Sequence, residues 1–182
     1  MPFHFDISDF LAYGQKNYIA LRVDASYGDG WYYEGAGVYR HVWLTKTDLL
    51  HLGRWESTVR TSVDANSATL ALATVVENES NKPETAEVSW QILDAAGKVV
   101  ANAETSPQQI ESSGSAAFSA SATIANPSIW SVEAPNLCSA VVTVTTNGTP
   151  RDAEQSRFGI QPRTRMISTE IVWPNPTRWV FT

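Results

Sequence analysis

The stretch Glu87-Val88-Ser89-Trp90-Gln91-Ile92-Leu93, followed by Asp94-Ala95-Ala96-Gly97-Lys98 and Val99-Val100-Ala101, decides the fold class. Successive side chains of an extended chain point to opposite sides, so Val88, Trp90 and Ile92 share one face while Ser89, Gln91 and Leu93 share the other. The Asp-to-Lys segment has the Asp and Gly that a tight turn requires, and Val99 opens a return strand. This is a β-hairpin with one apolar face.

The same period of two recurs on both sides. Thr69 to Val76 reads as a strand carrying Leu70, Leu72 and Val75 and ends at the polar cluster Glu77-Asn78-Glu79-Ser80-Asn81. Ala116 to Ile124 alternates Phe118, Ala120, Ala122 and Ile124, and Ala140 to Thr146 alternates Val142 and Val144 before a turn at Asn147-Gly148. Arg151 to Ile160 supplies a last strand with Phe158, and Ser57 to Val63 an early one. About seven strands with turns at roughly 8–12-residue intervals are the cue for an immunoglobulin-like β-sandwich over residues 45–160, with Trp90 in its core. Earlier, Asn17 to Asp24 and Val38 to Leu44 also alternate and are expected to be strands of a different sheet. The expectation is an all-β chain in three parts: residues 1–44, the sandwich at 45–160, and an irregular tail at 161–182.

Composition sets the outer limits. The 182 residues carry 13 Lys and Arg against 19 Asp and Glu, a net charge of −6, which opposes a general nucleic-acid binder. No apolar run approaches the roughly 20 residues of a membrane-spanning helix, so no membrane partner is expected. Met1 to Asp6 has neither a basic start nor an apolar core of signal-peptide length, so a cytoplasmic location is the default reading, with a periplasmic or secreted parent protein still open. Cys138 is the single cysteine, and His4, His41 and His51 have no i, i+4 pair among them, so neither a metal nor a cofactor is expected.

The remaining candidate chemistry lies in the loop Tyr27 to Gly37. Asp29 and Glu34 flank Trp31-Tyr32-Tyr33, and aromatic faces beside carboxylates suit stacking on a sugar ring. A loop by itself does not hold two carboxyl groups at a set separation, and aromatics packed between sheets are the plainer reading of the same residues.

Three stretches together resemble glycoside hydrolase family 2, the family of β-galactosidases, β-glucuronidases and β-mannosidases. The first is Phe5-Asp6-Ile7-Ser8-Asp9-Phe10-Leu11 with Asn17 to Asp24. The second is Gly30-Trp31-Tyr32-Tyr33-Glu34-Gly35-Ala36-Gly37-Val38-Tyr39-Arg40-His41-Val42-Trp43-Leu44. The third is Asn126-Pro127-Ser128-Ile129-Trp130-Ser131-Val132-Glu133-Ala134-Pro135-Asn136-Leu137 followed by Arg157-Phe158-Gly159-Ile160.

The resemblance implies that residues 1–44 are the last strands of a truncated sugar-binding jelly roll and that 45–160 is the family's central immunoglobulin-like domain. It also implies that Asp29 reaches toward a sugar pocket, with Trp31, Tyr32 and Glu34 beside it. In the family a (β/α)₈ barrel carrying two catalytic glutamates comes next. Only the 22 residues Gln161 to Thr182 follow here, against the roughly 250 of a barrel, so no residue is expected to be catalytic. A non-catalytic accessory fragment of a glycosidase is the leading expectation, with a stand-alone carbohydrate-binding or interaction domain as the alternative. Carbohydrate is the expected partner. The open edges of residues 3–44 are expected to be covered by the tail, through Trp173, Trp179 and Phe181, or by a strand-mediated homodimer.

Overall fold

The computed structural model describes residues 5–24, 37, 42–161 and the backbone of 173–174. The chain divides into two units, Met1–Lys46 with Arg178–Thr182 and Thr47–Thr177.

In the second unit, nine strands lie between residues 50 and 159: β1 (Leu50–Leu52), β2 (Thr58–Val63), β3 (Ser67–Asn78), β4 (Glu84–Leu93), β5 (Val99–Glu104), β6 (Gln108–Ile110), β7 (Gly114–Ala125), β8 (Leu137–Thr146) and β9 (Thr149–Gly159). All ladders are antiparallel. In one sheet β3 pairs with β7 along one edge and with β2 and then β1 along the other. In the second sheet the order is β9-β8-β4, with β5 and β6 taking successive lengths of the far edge of β4. The chain changes sheet after β3, after β6 and after β7. This division is that of an immunoglobulin-like sandwich.

The alternation read from the sequence holds residue by residue in the long strands. On β3 every even position from Ala68 to Asn78 is buried, and β4 buries Ala86, Val88, Trp90 and Ile92. Against them stand Phe118, Ala122 and Ile124 of β7 and Cys138, Ala140, Val142 and Val144 of β8. Trp90 is 2% exposed and is the largest fully buried side chain. The hairpin turn is built by Asp94, whose Oδ1 accepts the backbone N–H groups of Ala96 and Lys98 at 2.9 Å each, with Gly97 at φ 81°. Asn147 and Gly148 both take positive φ, as the two-residue turn joining β8 to β9 needs.

Three sequence expectations need correction. Asn78 reads as a polar turn residue, yet it is the last inward position of β3 and is 1% exposed. Its Nδ2 lies 2.9 Å from the Lys82 carbonyl, 3.1 Å from that of Ile110 and 3.0 Å from that of Glu111, while its Oδ1 accepts the Ser80 N–H at 3.0 Å. One amide thus satisfies both segments that cross between the sheets at this end, where bare carbonyls would be costly.

The others concern segments toward the ends of the chain. Asn17 to Asp24, expected as a strand, belongs to no ladder among the described residues, and Ile19, Leu21 and Val23 are about half exposed. Alternation makes a segment capable of pairing but does not supply a partner. Of Val38 to Leu44, residues 38–41 lie outside the described residues, and 42–44 contribute only a single bridge at Leu44. In the tail, expected to be irregular, Trp173–Pro174 form a short strand, β10, that pairs with Arg157 and Ser156 on the edge of β9; the rest of the tail, Trp179 and Phe181 included, lies outside the described residues. An edge with unpaired N–H and C=O groups is a template for such pairing.

The core contacts define two expected outcomes. Trp90→Ala should cost roughly 3–5 kcal/mol, a large part of a domain's stability, read as a lower urea midpoint. Asn78→Ala should cost about 3 kcal/mol or more, because several buried carbonyls lose their donor together; Asn78→Ala with an unchanged midpoint would mean that water replaces the amide.

Candidate functional site

The sugar-contacting residues expected from the sequence, Asp29, Trp31, Tyr32 and Glu34, all lie outside the described residues. The described chemistry is elsewhere, in four places on the sandwich.

The first is the seam between β9 and the β1–β2 corner. The inward positions of β9 begin with Asp152 and Glu154, where an apolar pair would be expected. Asp152 Oδ2 accepts the Leu52 N–H at 3.0 Å, covering a donor on the edge of β1. Glu154 Oε2 accepts the Ser57 hydroxyl at 3.1 Å, and Ser57 Oγ lies 3.0 Å from Thr74 Oγ1, which is buried on the inward face of β3. A serine hydroxyl donates once, so Thr74 donates to Ser57 and Ser57 to the carboxylate. Arg151 Nη1 adds an ion pair to Asp48 Oδ2 at 3.3 Å. These two inward carboxylates hold one sheet to the other. They do not face each other across an open cleft as a glycosidase pair must.

The second is the clamp formed by the family-like stretches 126–137 and 157–160. Trp130 N–H donates to the Ile160 carbonyl at 2.9 Å, and its indole lies so close over Gly159 that a Cβ there would stand 2.8 Å from Trp130 Cγ. Glycine at 159 is a packing requirement. Asn136 Nδ2 reaches the Ile129 carbonyl at 3.0 Å and fixes the loop. Trp130 is half-buried and Pro135 is exposed.

The third is an open cleft of about 530 Å³ at the same end, lined by Asp94, Lys98, Pro127, Asn136, Cys138 and Ile160 among others. Burial pushes the Cys138 thiol up, and the Asp94 carboxylate adds to the effect. That sulfur is held protonated, the opposite of an activated nucleophile.

The fourth is a cross-strand group on β1 and β3. His51 and Glu77 are direct partners in the ladder, and Glu79 follows two residues on, so all three share one face. His51 is buried, and its Nε2 lies 3.6 Å from Glu79 Oε1 and 3.9 Å from Glu77 Oε2. No motif marks this group in the sequence, because the histidine and the glutamates meet only through strand register.

Fold and site together define an immunoglobulin-like β-sandwich whose inward carboxylates serve structure. The chain belongs to glycosyl hydrolases family 2, whose model matches residues 55–161. It is 35% identical over 163 residues to the β-galactosidase BoGH2A of Bacteroides ovatus, an alignment covering 88% of this chain and 19% of that protein. A β-glucuronidase of Formosa agariphila is 28% identical over 183 residues, with the same coverage of 88% and 19%. Among solved structures, a family 2 member from Bacteroides cellulosilyticus superposes with a TM-score of 0.59 at 22% identity, covering 63% of this chain and 16% of that one. The chain therefore spans about one fifth of the length of the curated relatives it matches.

The state of Cys138 is open to a direct check. In the native protein at pH 8, labelling by iodoacetamide should be at least about tenfold slower than in urea, because a buried thiol with a raised pKa offers little thiolate.

Proposed function

We propose that this chain is a non-catalytic accessory β-sandwich of a family 2 glycosidase acting on β-galactoside-like or β-glucuronide-like substrates. The observation that carries the reading is the clamp between Trp130 and Gly159-Ile160. It fixes the path by which the chain leaves the sandwich, beside the cleft lined by Pro127, Asn136 and Ile160. A domain that sets the direction of its own exit strand is suited to holding a neighbouring domain in place. The inward carboxylates Asp152 and Glu154 are engaged with Leu52 and Ser57, which leaves neither as a general acid or nucleophile. The names of the relatives supply the substrate class.

Purified chain should show no turnover of nitrophenyl β-galactoside, β-glucuronide or β-mannoside above buffer. Turnover that survives rigorous purification and disappears in Asp29→Asn or Glu34→Gln would overturn this reading in favour of a catalytic loop. Titration with galactose and glucuronic acid distinguishes the remaining alternative: saturable binding lost in Trp31→Ala would make the chain a carbohydrate-binding module instead.

A further inference from the structure

The group His51, Glu77 and Glu79 presents an electrostatic problem. The Leu52 carbonyl lies 3.0 Å from His51 Nδ1 and can only accept, so Nδ1 carries a proton and donates it. In the neutral ring Nε2 is then a bare lone pair. It is directed at two carboxylates, and one ligand atom from each of the three residues falls within 4.8 Å of the others. With Nδ1 donating, two carboxylates at that range of Nε2 are disfavoured unless a positive species, either a proton on Nε2 or a metal ion, lies among the three groups.

We propose that His51, Glu77 and Glu79 form a binding site for a divalent transition-metal ion of the zinc class. The ligand set decides the class. One imidazole nitrogen with two carboxylates suits zinc, whereas calcium takes six to eight oxygens and magnesium prefers oxygen and water. The two carboxylates bring a charge of −2, which a divalent ion cancels. The distances agree. Two ligand atoms bonded at about 2.1 Å and a tetrahedral angle stand about 3.4 Å apart, and here the nitrogen-to-oxygen separations are 3.6 and 3.9 Å. A contraction of a few tenths of an ångström brings each nitrogen-to-oxygen pair to that separation, and the two carboxylate oxygens, within 4.8 Å of each other, belong to side chains with room to close further.

The surroundings are built for it. The hydrogen bond to Leu52 fixes the ring's tautomer and orientation, as the outer partner of a metal-bound histidine does. Glu77 lies over Gly53, where a Cβ would stand 3.3 Å from Glu77 Oε1, so the absence of a side chain there leaves the carboxylate its place. Three protein ligands leave a further coordination position for water. The ion would fasten β1, only three residues long, to the end of β3. The proposal does not depend on the accessory role argued above, since it concerns metal affinity alone.

The test is calorimetric titration of the metal-stripped full chain with Zn²⁺. A single saturable site is expected, together with a melting temperature that rises with Zn²⁺ concentration, because only the folded register assembles the ligands. Glu77→Gln and Glu79→Gln, at partly exposed positions, should each weaken binding by more than the roughly tenfold lost with an outer-shell partner. The Co²⁺ adduct should show visible bands of low-coordinate geometry that weaken in both variants. The double variant His4→Gln/His41→Gln should bind as the parent does. No saturable binding, or affinity unchanged in both glutamate variants, would overturn the proposal. So would loss of binding in the His4/His41 double variant, which would place the ion elsewhere.

Discussion

The sandwich depends on a buried amide at the place where its two sheets exchange the chain. Strands satisfy one another's backbone groups, but a chain that leaves one sheet for the other must abandon its ladder, and the carbonyls of the crossing segments then face the interior. Asn78 meets this demand at two crossings at once, with Nδ2 against the carbonyls of Lys82, Ile110 and Glu111. Ser80 extends the arrangement, donating to Lys82 through its hydroxyl and accepting the Ser113 N–H through its carbonyl. With those groups satisfied, β3 can run twelve residues with a fully buried face, and β7 can pair along its whole length. Trp90 and its neighbours then have a wall to pack against.

At the two ends of the sandwich different chemistry does the same work. Near β1 and β2 the inward positions of β9 are carboxylates that reach the other sheet's edge. At the Trp130 end closure comes from an aromatic ring laid on a glycine, with apolar Phe158 and Ile160 on either side pointing inward. Burying charge is costly unless the group is hydrogen-bonded, and each carboxylate in the seam has a donor. The gradient from polar to apolar along β9 makes its pairing register specific, since a slip of one residue would turn Phe158 outward and leave Leu52 without its acceptor.

How much of this could be read from the sequence follows from element length. The strands β3, β4, β7 and β8 span ten to twelve residues, and their alternation is unmistakable. The strands β1 and β6 have three residues each, too few to show a period, and went unread. Asn17 to Asp24 marks the opposite limit, a segment with the right alternation but no ladder among the described residues. For the functional groups the difficulty is register. A turn such as Asp94 to Lys98 is local and legible, whereas Asp152 with Leu52, or His51 with Glu77, is a meeting between distant residues that only the assembled sheet specifies. The Arg157-Phe158-Gly159-Ile160 motif is legible as a family resemblance, and its physical reason is that Trp130 requires a glycine beneath it.

The burial of Asn78 also bears on how the protein can be made. Asn78-Glu79-Ser80 and Asn147-Gly148-Thr149 both match the acceptor pattern for N-linked glycosylation in a eukaryotic secretory pathway. Their folded settings are opposite. Asn147 is exposed on a hairpin tip, where a glycan would project into solvent. Asn78 has its amide nitrogen among three carbonyls in the interior, and a sugar on that nitrogen is incompatible with the closed sandwich. A glycan attached to the nascent chain at Asn78 would keep the sheets from meeting, whereas one at Asn147 would leave the sandwich intact.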